Sequence, residues 1–155
     1  MNLTEHISKY CTYGEAIQSQ SASRFGIDNT PNEEQIQAMR YVATEIFDPV
    51  REFLQGPLTA SSFFRSPALN KVIGGSSTTS QHMKGEAIDM FKAGRNKEIF
   101  DFIRKGLIFD QLIWEYGTNL EPDWVHCSKI LEGNRHMVLQ CLRGAKYKLF
   151  DLYPL

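Results

Sequence analysis

Ser80-Gln81-His82-Met83-Lys84-Gly85-Glu86-Ala87-Ile88-Asp89 is the stretch around which the rest of the chain can be read. It sets an imidazole and a carboxylate on either side of a glycine turn, with an apolar-leaning run leading into the carboxylate. Both are metal-ligand types at neutral pH. Gly85 to Phe91 reads as a strand, which carries Asp89. A catalytic zinc site needs three protein ligands and one open position. Asp123-Trp124-Val125-His126 offers a second histidine and a further carboxylate.

The flanking segments read as scaffold. Residues 3–25 carry weak helical periodicity and predict one or two short helices, with a turn at Gly26-Ile27-Asp28-Asn29. Thr30-Pro31-Asn32-Glu33 predicts a helix start, with Thr30 as cap, Pro31 in the first turn and Glu33 closing a capping box. Ile36, Met39, Val42, Ala43, Ile46, Phe47, Val50, Phe53 and Leu54 then recur at helical spacing. Pro49 should kink or divide this helix near Phe47, and Gln55-Gly56-Pro57 should end it. Leu58 to Phe64 reads as a strand stopped by Arg65-Ser66-Pro67. Ala68 to Ile73 predicts a short helix closed by Gly74-Gly75, and residues 76–80 a polar loop. Asn96 is expected to cap a helix running through Arg104. Gln111–Glu115, Trp124–Ser128 and His136–Leu142 read as further strands. Helices first, then strands with one helix inserted, predict an α+β fold around a small, mainly antiparallel sheet.

The chain of 155 residues fits a single domain spanning 1–155. Hydrophobic residues at 42% and charged residues at 23% describe an ordinary globular composition. A net charge of −1 with no basic run argues against binding nucleic acid by charge. Cys11, Cys127 and Cys141 are too few and too scattered for a disulfide framework and are expected as free thiols. No apolar run is long enough for membrane insertion. Met1 to His6 has neither the basic start nor the apolar stretch of a secretory signal, so synthesis in the cytoplasm is expected.

Taken singly, each candidate has a plain structural use. A lone histidine is more often a surface or satisfied core residue than a ligand, Asp89 can hold a turn, and Trp124 can be core. Their combination points to metal chemistry. His82, Asp89 and His126 form a complete ligand set for one Zn2+ or another divalent ion. A carboxylate nearby is needed to carry a proton. Asp123 is the first candidate and Glu121 the second. Asp123 and His126 would face opposite ways on a regular strand, so Asp123 is expected just before the strand begins. By the same alternation Cys127 should face away from the metal. Arg65, at a strand end, can bind a carbonyl or carboxylate.

Ser80-x-His82-x-x-Gly85-x-Ala87-x-Asp89 with Asp123-Trp124-Val125-His126 resembles the zinc D-Ala-D-Ala carboxypeptidase family. That family includes D-Ala-D-Ala dipeptidases and phage L-alanyl-D-glutamate endolysins, and shares its metal-site fold with the hedgehog signalling domain. Ser62 to Asn70 and Val72 to Gly75 are similar to the family's arginine segment and the stretch before its Ser-x-His motif. Ser21 to Pro31 is similar to the N-terminal segment of a compact, often phage-encoded subgroup. The departures are Phe64, where tyrosine is common, and Asp123, where glutamate also occurs.

The resemblance implies a zinc metallopeptidase acting on peptidoglycan stem peptides, as carboxypeptidase, endopeptidase or dipeptidase. It makes His82, Asp89 and His126 the metal ligands and Asp123 the acid/base. Arg65 becomes the group that steadies substrate and oxyanion, with Ser80 and Trp124 beside the substrate. A monomer is expected, reaching the cell wall by release or delivery in a phage setting. The alternative is a zinc-binding, non-catalytic module of hedgehog type. The last 25 residues carry no usable motif.

Overall fold

The computed structural model describes residues 1–74 and 77–150. Gly75 and Ser76, part of the predicted helix stop and polar loop, lie outside the described residues, as do 151–155.

Two short helices, α1 (Tyr13–Ile17) and α2 (Gln20–Phe25), open the chain. Gly26 takes a left-handed conformation and closes α2, as the turn reading expects. Helix α3 (Glu33–Val42) starts later than the sequence suggests. Its cap is Asn32 rather than Thr30, and Gln35 rather than Glu33 completes the capping box. Thr30 is instead held in a turn by the Asp28 carboxylate, which accepts from its amide. The long apolar stripe does divide where Pro49 demands. A π-helical turn (Ala43–Phe47) separates α3 from α4 (Asp48–Leu54). Proline has no N–H and its ring crowds the carbonyl four residues back, so widening the preceding turn relieves both problems.

The sheet has six strands in the order β1-β2-β4-β3-β5-β6: Thr59–Ser62, Ala87–Phe91, Trp124–Ser128, Gln111–Glu115, Met137–Cys141 and Lys148–Leu149. Every neighbouring pair is antiparallel except β3 with β5, which run parallel. The architecture is α+β, as expected, with a mixed sheet. Strand β1 is shorter than the predicted 58–64 and bulges between Ala60 and Ser62. Phe63 and Phe64 leave the ladder and enter the core. Helix α5 (Pro67–Val72) follows at once, with Ser66 as its cap and Pro67 in its first turn.

The two faces of the sheet differ. Ile88, Met90, Leu112, Trp114, Val125 and Cys127 pack with α3, α4 and α6 into the hydrophobic core. Asp89, Ile113, Glu115, Trp124 and His126 alternate with them and so occupy the opposite face. Cys127 thus faces away from the candidate ligands, as alternation predicts. Cys127 and Cys141 do not sit on paired strands, because β3 lies between β4 and β5. All three thiols are free and buried.

Helix α6 (Asn96–Gly106) is where the sequence reading needs most correction. Asn96 does not cap it. The Glu121 carboxylate, arriving from the β3–β4 connection, accepts from the amides of Asn96 and Lys97. An anion there also suits the positive end of the helix dipole. The freed Asn96 side chain donates to the carbonyls of Pro122 and Asp123 and thereby fixes the entry to β4. No helix among the described residues is long and apolar enough to cross a membrane.

Candidate metal centre

Strand pairing builds two thirds of the site. Asp89 on β2 and His126 on β4 are directly opposite each other, and Ile113 on β3 continues the row. Directly opposed residues put their side chains on one face within reach of each other. His126 Nδ1 lies 2.8 Å from Asp89 Oδ1.

His82 arrives from a 3-10 turn (Gln81–Lys84) that opens after Ser80. Gly85 closes this turn at φ +76, where a Cβ would fall 2.5 Å from the Gln35 carbonyl oxygen and 2.9 Å from Met39 Cγ. Only glycine lets the turn lie this close to α3. Gln81 donates to the buried Asp110 carboxylate at 3.0 Å, and Arg135 clamps the same carboxylate through its backbone and guanidinium. The Arg135 guanidinium holds the Asp110 carboxyl down to about 2.

His82 is nearly inaccessible, and its Nδ1–H donates to the Phe63 carbonyl at 2.6 Å. That bond fixes the tautomer and aims the Nε2 lone pair inward. Nε2 then lies 3.2 Å from His126 Nδ1 and 3.3 Å from Asp89 Oδ1. Burial lowers the His82 pKa, only partly opposed by Asp89, so the ring is neutral at physiological pH. Burial works to raise the Asp89 carboxyl, but His82 and His126 outweigh it and hold it well below the usual range.

This donor set fits a divalent cation. The ligand atoms of His82, Asp89 and His126 all lie within 4.8 Å of one another. Two imidazole nitrogens and a carboxylate oxygen converge from buried positions. One imidazole has its other nitrogen engaged by a backbone carbonyl, the usual support for a metal-bound histidine. Two histidines and a carboxylate suit zinc, with other divalent ions accepted by the same chemistry.

The other expected residues fall around this triangle in different ways. Arg65 Nη2 donates to Asp89 Oδ2 at 2.6 Å, its Nε to Ser62 Oγ at 2.8 Å, and its amide to the His82 carbonyl. It therefore supports two ligand segments at once. Ser80 begins the turn bearing His82, and its side chain caps nothing there. Trp124 is on the ligand face, half-buried, with its ring 5.0 Å from Tyr116. Asp123 stands just before β4, as anticipated, and its carboxylate accepts from the exposed Arg143 at 2.7 Å. Glu121, the second carboxylate candidate, is engaged at the start of α6.

Sequence reasoning missed Glu115. It lies opposite Trp124 on the ligand face, is buried, and accepts from the Tyr147 hydroxyl. Burial raises its carboxyl pKa and the Asp89 charge adds to this, with His126, Tyr147 and Arg65 opposing. The available signal was an acid closing the otherwise apolar run Leu112-Ile113-Trp114. Its face could be assigned only once the β3–β4 register was known.

A sequence profile described as Peptidase M15 matches residues 9–128 of the chain. The match takes in His82, Asp89, Arg65, Asp123 and His126 and stops at the end of β4. No curated protein matches the chain.

Proposed function

This chain belongs to the peptidase M15 family, and from that premise we propose that it is a zinc metallopeptidase that hydrolyses peptide bonds in bacterial peptidoglycan stem peptides. The observation that carries the reading is the convergence of His82, Asp89 and His126, with His82 locked in the right tautomer by the Phe63 carbonyl. Zinc held there would supply Lewis-acid polarisation of a carbonyl and a water acidified to a pKa of about 7.

The protein's own groups supply the rest. Arg65 holds Asp89 in place and offers a planar cation beside the site, suited to a substrate carbonyl or carboxylate. Trp124 provides an apolar wall against which a peptide can lie, and Ser80 opens the turn bearing His82. A carboxylate must carry the proton from the attacking water to the departing amine. The motif spacing puts Asp123 forward for that task. The similarity of residues 21–31 to a compact phage-encoded subgroup supports a phage lysin as the setting.

Mass spectrometry of purified peptidoglycan fragments incubated with the protein, with chelator and with added zinc, tests this reading. New fragments that vanish with chelator and return with zinc are the expected result, and their masses identify the bond cut. A folded, zinc-loaded protein that cleaves nothing would overturn it in favour of a binding module.

A further inference from the structure

The turn between β5 and β6, residues 142–147, lies beyond the residues that the family profile matches. Both of its ends are fastened to the end of β3. The Tyr116 amide donates to the Cys141 carbonyl at 2.6 Å, and the Tyr147 hydroxyl donates to the buried Glu115 carboxylate at 3.2 Å. The Ala145 amide donates to the Leu142 carbonyl at 2.9 Å, which closes the turn on itself, and Leu142 packs against the core. Arg143 stands within this anchored turn, and its Nη2 donates to Asp123 Oδ2 at 2.7 Å.

The same strand end fixes the main chain of Asp123. Its amide donates to the Glu115 carbonyl at 2.9 Å, and its own carbonyl accepts from the Asn96 side chain at 2.9 Å. The backbone is thus held from two sides, while the side chain, 38% exposed, has no packing to fix its rotamer. Among the described residues Arg143 is the one polar partner of this carboxylate, through Oδ2, and Oδ1 takes no hydrogen bond. The arginine side chain is 79% exposed. An ion pair so open to water adds little to stability. Its distinct effect is geometric: one oxygen is held and the other is left open. A proton carrier is effective only when its accepting atom is kept in place. A guanidinium stays protonated, so it can steady the carboxylate without entering the transfer.

Resting on the peptidase reading, with Asp123 as the proton carrier, we propose that Arg143 is a positioning residue for this reaction. It holds Asp123 by Oδ2 in one orientation and leaves Oδ1 as the oxygen that exchanges the proton. The β5–β6 turn is then an addition to the family's motifs that serves the site from outside them. Its anchors on Glu115 and Tyr116 matter because the same strand end carries the backbone of Asp123, so that arginine and carboxylate are held in one frame.

The experiment compares R143A, R143K, D123N and the double variant R143A/D123N with wild type, all loaded with zinc. It measures kcat and KM on a peptidoglycan fragment, zinc affinity and melting temperature. R143A should lower kcat by about 10–100-fold, the scale of a misplaced reacting group. Its KM, zinc affinity and melting temperature should stay close to wild type, because the lost interaction serves the chemical step and not binding. R143K keeps the charge on a more flexible stem and should recover part of the rate. D123N should lose about 10²–10⁴ in kcat. Adding R143A to D123N should cost nothing further, since the arginine acts only through that carboxylate, a result that a merely structural role would not give. If R143A keeps its kcat, if it raises KM instead because the arginine binds a substrate carboxylate, or if it costs the same factor in the D123N background, the proposal falls while the peptidase reading stands. D123N with full turnover overturns the proposal together with the role of Asp123. A zinc-loaded wild-type protein that cleaves nothing overturns the peptidase reading itself.

Discussion

Asp89 uses both carboxylate oxygens. Oδ1 faces the two histidines, and Oδ2 accepts from Arg65 at 2.6 Å. The guanidinium is therefore a fixed support for a candidate ligand, in addition to the substrate-facing role proposed for it. Supports of this kind usually change metal affinity by about 10–100-fold when removed. R65A should weaken zinc binding by that factor in a competition titration, even with no peptide present. R65K keeps the charge but loses the fork that reaches Ser62 and Asp89 together, and should recover only part of the affinity. Replacing His82 or His126 by alanine should abolish stoichiometric zinc in the purified protein, leaving the other two donors short of a closed set.

At the level of elements, the turn bearing His82 is positioned from two sides. Gly85 lets it rest on α3, and Gln81 ties it to Asp110 at the start of β3. G85A combines a left-handed backbone with overlap on Gln35 and Met39 and should destabilise the fold by about 2–4 kcal/mol, read from the urea midpoint. The Asp110 contribution depends on pH. Its carboxyl sits at about 2 in the folded protein, below the ordinary value of about 3.9. Depression of a carboxyl favours the folded state at pH values above the unfolded pKa. That stability, about 1–2 kcal/mol after allowing for the exposed arginine partner, should be present above pH ~4 and fade as pH falls toward ~2. D110N should show a shallower loss over the same range. The elements themselves were legible to different degrees. Gln111–Glu115 and Trp124–Ser128 carry their strand limits in the sequence because turn residues flank apolar runs. Two helix starts were not legible in the same way. At α6 the cap is Glu121, separated from Asn96 by a whole strand, and local spacing holds no trace of it. At α3 the cap is Asn32 rather than the expected Thr30, fixed by the reciprocal Asn32–Gln35 bonds, which the local spacing did not single out.

For the whole molecule, the three candidate ligands that the fold brings together could be picked out from the chain because they fall in two short motifs. The surroundings could not. Arg65 as a support for Asp89, Glu115 on the ligand face and Tyr147 beside it all depend on strand order and register. The parallel β3–β5 pair and the small β6 strand were equally hidden, since a parallel neighbour leaves no hairpin signature. A ligand bound only by the folded form stabilises it by mass action, about 4 kcal/mol when present at a thousand times its dissociation constant. For a domain of this size that corresponds to roughly 10 °C in melting temperature. Zinc should raise the melting temperature by about that much over the chelated protein in calorimetry, and H126A should show no such rise.

The direct opposition of Asp89 and His126 also bears on how the protein is made. These two residues meet only when β2 and β4 have zipped together, and β3 and α6 lie between them in the chain. Closing so long a loop precedes any reward from the contacts it brings. A metal held by all three candidate ligands therefore needs a sheet already in register, so full zinc uptake during refolding should lag behind strand formation and time the last step of maturation.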